Sequence, residues 1–280
     1  MAREESAEMN ITSSHAKDNL KERSMLTKAE IHEFLESLGI KKSDTVLVHT
    51  SMKAIGEVEG GCDGLIDGFT SYLTDGLFLV PTHTWANVNE SQPIYDVRST
   101  IPCIGALPAT AAFRKDGVRS LHPTHSITGF GKRAEEFLKG EENATAPCFP
   151  GGAWARLYDE DARILMLGVG IDKLTYIHAV DEMIDLPNRL SHEKKLTVID
   201  KNGGAKEIVY RSHSHATSQY FVNYQKPFDH YKALTYSTLG NAPVILVDTK
   251  KITEILKKIW SHAEWDICSL YKEIPEDWYI

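Results

Sequence analysis

His178 is followed three and four residues later by Asp181 and Glu182, inside the segment ILMLGVGIDKLTYIHAVDEMIDLP over residues 164 to 187. The run reads as strand, loop and helix, with the helix starting at Asp172 and ending at Pro187. His178 then falls about two turns in, and both carboxylates can share its face. A carboxylate beside one imidazole nitrogen fixes the tautomer and raises basicity, leaving the other nitrogen to accept a proton. Acyl transfer to an amine requires that arrangement. The alternative is a surface His–Glu pair of ordinary helix spacing, and spacing alone does not separate the two.

Three more segments carry candidate groups. VHTSMKAIGEVEGG, residues 48 to 61, puts His49, Thr50, Ser51 and Lys53 at a strand end, with Gly60 and Gly61 leading into a helix. Ligands of open α/β sheets bind beyond the carboxyl ends of strands. Hydroxyls and backbone N–H groups there can hold a phosphate or the amides of a pantetheine arm; a polar loop capping a helix is the competing reading. The end of the next strand, VPTHTW from Val80, brings Thr82 and His83 to the same edge if the sheet is parallel. RSLHPTHS, from Arg119 to Ser126, holds His122 and His125 in a loop ordered by Pro123. These two histidines could pair with His213 and His215 around a metal. Neither cluster has a carboxylate or Cys at ligand spacing, and there is no HExxH, so no metal is expected.

Familiar nucleotide and hydrolase signatures are missing. Gly168-Val-Gly170 is not a dinucleotide fingerprint, because Lys173 stands where the third glycine belongs. Neither a P-loop nor a GxSxG motif occurs.

The elements that must position these groups alternate. Thr27 and Glu30 form a T-x-x-E capping box for a helix that Gly39 ends, with Ile31, Phe34, Leu35 and Leu38 on one face. Thr45–Thr50, Leu77–Thr82 and Arg163–Val169 read as buried strands, and 62–74 as a helix between the first two. Alternation of this kind predicts a largely parallel sheet between helices. Later, Leu196–Asp200 and Lys206–Arg211 flank Asn202-Gly203-Gly204, a hairpin signal. Pro243–Asp248 is a further strand and 250–262 a closing helix. The second half is thus expected to add an antiparallel portion, giving a mixed sheet.

Bulk properties set outer limits. The 280 residues are 42% hydrophobic and 25% charged, which are globular proportions. A net charge of −8 disfavours nucleic acid and anionic membranes as partners and mildly favours cationic ligands. Cys62, Cys103, Cys148 and Cys268 include no CxxC pair and read as reduced thiols of a cytoplasmic protein. Residues 1–24 are polar, lack a signal-like apolar core, and are expected to be mobile or loosely helical; 25–280 is expected to be one domain.

In order along residues 27 to 262, these segments resemble the aminoglycoside 3-N-acetyltransferase family, also called antibiotic N-acetyltransferases. VHTSMKAIGEVEGG resembles its H-S-S loop, Leu79–Thr82 its second strand end, and Gly105-Ala-Leu-Pro108 its G-x-L-P loop. RSLHPTHSITGFG resembles its R-S-x-H-P-x-x-S segment, and Gly240-Asn241-Ala242 its G-N-A turn. The strand into His178 stands where the family carries its catalytic histidine. The resemblance implies a three-layer α/β/α fold around a mixed sheet. It also implies acetyl transfer from acetyl-CoA to an amine, commonly the 3-amine of a 2-deoxystreptamine ring, and an association with antibiotic resistance. Carried over, His178 is the base, oriented by Asp181 or Glu182, with His49 beside it. Thr50, Ser51, Lys53, Thr82, Gly105, Leu107, His122 and Ser126 lie along the cofactor and active-site crevice. The expected partner is a small cationic amine, with Glu57, Glu59 and Asp63 as candidate recognition groups and a homodimer left open.

The chain departs from the family pattern in three places. Asp181 stands where the family has Glu, Ala109 where it has Glu after G-x-L-P, and Gly152-Ala153-Trp154 where a Ser-Pro often follows. These changes touch the acceptor side. They keep open another amino sugar or a nucleotide-linked amine as acceptor, and a coenzyme-binding module without turnover as a different class.

Overall fold

The computed structural model describes residues 25–215, 217–262 and 273–280; the polar segment over residues 1–24 lies outside the described residues. Thr27 opens α1 (Lys28–Ser37) with the complete capping box, the Glu30 carboxylate accepting from the Thr27 N–H at 2.7 Å. Each partner satisfies a backbone donor that a helix start leaves open.

The chain continues through β1 (Thr45–Thr50), α2 (Met52–Ile55), α3 (Gly61–Tyr72), β2 (Leu77–Pro81), β3 (Ile94–Asp96), α4 (Ala106–Ala111), β4 (Val118–Arg119), β5 (Ile127–Phe130) and α5 (Ala134–Phe137). It then runs through α6 (Ala153–Asp159), β6 (Arg163–Leu167), α7 (Tyr176–Met183), β7 (Leu190–Ile199), β8 (Ala205–His213), α8 (Gln225–His230), β9 (Leu234–Leu239), β10 (Ala242–Asp248) and α9 (Thr249–Trp260). Seven strands form the central sheet in the order β4-β5-β2-β1-β6-β10-β9. The middle trio β2, β1 and β6 is parallel, and the flanks on both sides pair antiparallel.

Alternation along the strands builds the layers. Leu47, Leu77, Leu79 and Ile164 pack against α5, α6, α7 and α9 on one face. Val46, Val48, Phe78, Val80 and Leu165 pack against α1, α3 and α4 on the other. Successive side chains of a strand point to opposite faces, so strands apolar on both sides end up between two helical layers. The mixed three-layer arrangement is the expected one.

Two expectations need correction. The 196–211 hairpin does not extend the main sheet; β7 and β8 join β3 in a separate three-stranded sheet around Tyr95, Leu196, Val198 and Tyr210. The antiparallel flanks come from β5 and β4 on one side and β10 and β9 on the other. Exposed residues alternate with these buried ones along β8, which buries one face only. The second correction concerns the helix after β6. It is broken into a 3-10 turn at Ile171–Lys173 and α7, because Leu174 takes a non-helical ψ of 82°. His178 therefore sits in the first turn of α7, its N–H donating to the Thr175 carbonyl at 2.9 Å.

Candidate active site

The parallel trio directs the ends of β1, β2 and β6 to one edge, and a cavity of about 650 Å³ opens there. Its wall combines His49 and Thr50 at the end of β1, Pro81 at the end of β2 and His83 just beyond it, and Val169 after β6 with His178 of α7 and His213 of β8. Thr124 and His125 from the 119–126 loop, Lys194 of β7, and Trp85 at the rim complete the polar and aromatic lining.

Local geometry explains why β1 delivers its histidine here. His49 lies two residues after Leu47, so it points to the α6 side, where its ring stacks on the buried Trp154 with centroids 6.2 Å apart. The turn after β1 is clamped from behind. Gly240 has a φ of 58°, and a Cβ there would come within 2.7 Å of the Ile55 carbonyl. That carbonyl accepts the Asn241 N–H at 3.0 Å. Gly168, with φ 68°, faces the Ala54 methyl so closely that a Cβ would sit 2.4 Å from it. Only glycine fits either close approach.

The floor of the cavity is a buried ionic group. His178 Nδ1 lies 3.2 Å from Asp181 Oδ2 and 2.9 Å from Arg189 Nη2, while Arg189 Nε donates to Asp181 Oδ2 at 3.0 Å. Asp181 is 1% exposed and Arg189 4%, so each charge relies on the other for compensation. Glu182 faces a different ring. Its Oε1 accepts from the Cys148 N–H and lies 2.9 Å from His213 Nε2. Burial, reinforced by the Asp181 charge, pushes the Glu182 carboxyl well above the usual range. The His178 and His213 rings stand 4.0 Å apart between centroids.

The surrounding imidazoles are held neutral. Burial pushes His49 down to about 3. His83, His125 and His213 lie well below the usual value, through burial first and then the neighbouring rings or cations. Among the described residues, His49 Nε2, His83 Nε2 and Thr50 Oγ1 are buried with no protein partner. Buried polar atoms are normally satisfied, so these three fit a ligand with donors and acceptors of its own, such as a thioester and its pantetheine amides. One ligand atom each from His178, Asp181 and His213 falls within 4.8 Å of the others, the spacing of a metal site. The Arg189 guanidinium, however, is bonded to both His178 Nδ1 and Asp181 Oδ2 and supplies the positive charge there.

Several residues singled out by sequence stand elsewhere. Ser51 caps α2 and accepts from the Ala54 N–H, and Lys53 is exposed; neither lines the cavity. Thr82 and Ser126 are fully buried and bonded to each other at 2.9 Å. They pin the β2 end to the 119–126 loop. Leu107 belongs to the core, and Gly105 is an exposed N-cap of α4. His122 has both nitrogens in use. Nδ1 accepts the N–H groups of Thr124 and His125, and Nε2 donates to the Ala146 carbonyl at 3.0 Å. The loop thus turns its neighbours, Thr124 and His125, toward the cavity. Glu57, Glu59 and Asp63 are exposed and absent from the lining, and Asp63 is paired with Arg114. Burial raises the Cys148 thiol, which argues against an acyl-enzyme there.

Sequence reasoning missed Arg189 and gave His213 only a metal-ligand role. Alternation could have found His213, since RSHSH on a strand puts His213 and His215 on one face. Arg189, eight residues beyond Asp181, carried no local signal.

The cavity thus combines the carboxyl edge of a parallel strand trio, buried polar atoms without a partner among the described residues, and imidazoles close to carboxylates. The sequence model of the aminoglycoside 3-N-acetyltransferase family matches residues 47–261, and the chain belongs to this family of acetyl-CoA-dependent acyltransferases. It is 30% identical over 181 residues to the aminoglycoside N(3')-acetyltransferase-like protein YokD of Bacillus subtilis, covering 56% of this chain and 65% of the relative. It is 28% identical over 198 residues to aminoglycoside N(3)-acetyltransferase VIII of Streptomyces fradiae, covering 62% and 67%. The matched region thus spans about two thirds of the length of these relatives. The fold is shared with AAC-IIIb solved with CoASH, with a TM-score of 0.74 at 21% identity over 86% of this chain and 98% of that one. It is also shared with a histidine-to-alanine mutant of AAC(3)-IVa solved with apramycin, with a TM-score of 0.71 at 21% identity over 89% and 98%. Among the described residues, no helix is long and apolar enough to cross a membrane.

Proposed function

We propose that the protein transfers an acetyl group from acetyl-CoA to a primary amine of an aminoglycoside-like acceptor, at the 3-N position by family membership. The reaction is direct attack within a ternary complex, with an imidazole at the cavity floor as general base. His178 is the ring that the sequence pattern and the family place at that point. The observation that carries the reading is its position: it lines the cavity while its Nδ1 faces the buried Asp181 carboxylate and Arg189 guanidinium. An ammonium is not a nucleophile, so the amine must shed a proton as the N–C bond forms and the C–S bond breaks. His49, Thr50 and His83 supply the unpaired polar atoms for the thioester side.

One observation favours a second acceptor class. Among the described lining residues Asp172 is the sole carboxylate, and it lies 2.9 Å from Lys173. Lys194 and the imidazoles of His49, His83, His125, His178, His213 and His215 make up the rest of the titratable lining. A polycation gains little from such a wall. An amino sugar or a nucleotide-linked amine, bringing fewer positive charges, suits it better.

Thiol release from acetyl-CoA, measured against aminoglycosides, amino sugars and nucleotide-linked amines, tests both readings. Turnover that collapses in His178→Ala while acetyl-CoA still binds is the expected result. Acetyl-CoA binding with no turnover on any amine would turn the protein into a coenzyme-binding module.

A further inference from the structure

One wall of the cavity is built by the second sheet and the turn after β2. Thr84 of that turn donates its N–H to the Thr124 carbonyl at 2.8 Å, and Thr124 Oγ1 is bonded to the Tyr210 hydroxyl of β8. Val88 of the same turn packs with Leu196 and Tyr210. Trp85 therefore belongs to the wall that carries Lys194 and Ser212, and all three line the cavity. The β7–β8 register shifts between Leu190 and Glu193, and the consecutive Ser212 and His213 both reach the cavity. Bulges of this kind re-aim side chains beside sites.

Two successive lysines of β7 have different fates. Lys195 is exposed, lies 2.9 Å from Glu207 and takes no part in the lining. Lys194 leaves the other face of the strand. Its Nζ donates to Ser212 Oγ at 2.6 Å and stands 6.0 Å from the centre of the Tyr210 ring. Among the described residues, Lys194 has no carboxylate in ion-pair contact; Glu90, whose charge reaches it, is exposed and lies 3.6 Å from His192. The other lining lysine, Lys173, is paired with Asp172 at 2.9 Å. Lys194 thus brings an uncompensated positive charge to a wall that otherwise holds neutral rings.

An ammonium has three donors, and one is spent on Ser212. Ser212 Oγ accepts that bond, and its own O–H has no acceptor among the described residues. Two ammonium N–H groups and one hydroxyl are left for a ligand. A point charge with several donors is suited to a phosphate. Trp85 is 51% exposed although it lines the cavity, which leaves an indole face for a sugar or base ring.

We propose that Lys194 and Ser212 form a subsite for a phosphate carried by the amine acceptor, with Trp85 as the apolar face for the ring that bears it. The proposal rests on the second acceptor class above and names its chemistry: a phosphorylated or nucleotide-linked amino sugar. In that reading the thioester side is supplied by His49, Thr50 and His83 at the edge of the main sheet. Lys194 and Ser212 come from the second sheet, so the phosphate is assigned to the acceptor and not to the coenzyme.

Thiol release from acetyl-CoA is measured with glucosamine, glucosamine 6-phosphate, UDP-glucosamine and apramycin, for the parent and Lys194→Gln. The better of the two phosphorylated sugars should exceed glucosamine by about tenfold or more in kcat/KM, and Lys194→Gln should bring that ratio within about twofold of one. The KM for acetyl-CoA should stay within about twofold of the parent value. A ratio that Lys194→Gln leaves unchanged overturns the proposal, as does turnover of apramycin alone. A KM for acetyl-CoA that rises about tenfold in the variant also overturns it, and gives the lysine to the phosphates of the coenzyme. If the parent releases thiol with no amine, the acetyltransferase reading fails separately, and calorimetry on the CoA-saturated protein decides the subsite. Phosphorylated sugar bound about tenfold tighter than glucosamine, with the difference lost in Lys194→Gln, supports it; equal affinities overturn it.

Discussion

The turn around His122 and the floor around His178 and His213 are both histidine-rich and both buried, yet they do different work. His122 spends both ring nitrogens on backbone groups, two N–H donors at Nδ1 and a carbonyl at Nε2. His178 and His213 each tie one nitrogen to charged or carboxyl groups and keep the other for the cavity they line. A histidine with two satisfied nitrogens is a structural cross-link; one with a single buried partner has a nitrogen left for chemistry. The same contrast separates the Thr82–Ser126 pair, bonded inside the core, from Thr50, whose hydroxyl has no protein partner among the described residues.

Substitutions on the two sides should therefore fail in different ways. The largest effect is expected at His178→Ala, with kcat falling by roughly 10²–10⁴-fold, as is typical for loss of a proton-handling group. Its melting temperature and acetyl-CoA affinity, read by calorimetry, should stay near those of the parent. His122→Ala should behave oppositely. It strands three buried backbone groups and opens a hole, at a cost of about 3 kcal/mol in denaturant unfolding. The activity of the fraction that remains folded should be nearly normal. If His122→Ala instead lost turnover at full stability, the distinction drawn here would collapse.

Glu141 sharpens the comparison through pH. Burial pushes its carboxyl up to about 7, although Oε1 accepts the Ala153 N–H at 2.7 Å. Because its folded value is raised, the favourable contribution of the protonated form is fully present below about 4.5. It is lost as pH rises, and is gone by about 7. The total is roughly 3 kcal/mol, from 1.36 kcal/mol for each pH unit of difference. Glu141→Gln should flatten the stability profile between about pH 4.5 and 7, measured by urea midpoints, without changing kcat. An unchanged slope in that variant would assign the pH dependence to another group. The smallest effect is expected at Lys53→Ala. The side chain is exposed and outside the lining, so kcat/KM should move less than about twofold and stability by under about 0.5 kcal/mol. A tenfold rise in the KM for acetyl-CoA would restore Lys53 to the cofactor site.

Much of this molecule is encoded locally. The capping box at Thr27 and Glu30, the apolar strands that become β1, β2 and β6, and the Asn-Gly-Gly hairpin depend on short-range periodicity and turn chemistry, and the structure reproduces them. The ordered motifs also pointed to the family and to His178. The break at Leu174, which moved His178 from mid-helix into the first turn of α7, had no marker such as Pro or Gly in the Asp172–His178 run.

The partners of the site were decided only by tertiary structure. Sequence spacing offered Asp181 and Glu182 to one imidazole. Folding instead sent Asp181 to Arg189 and His178, and Glu182 to His213 on a strand 31 residues away. Trp154, which sits under His49 and His83, is brought in by α6 from the far side of the chain. A side chain's residue type and its local neighbours are sequence properties. Which of its hydrogen-bonding atoms are consumed by distant groups, and which are left for a ligand, depends on contacts made when separate segments pack, and short-range spacing carries no record of them.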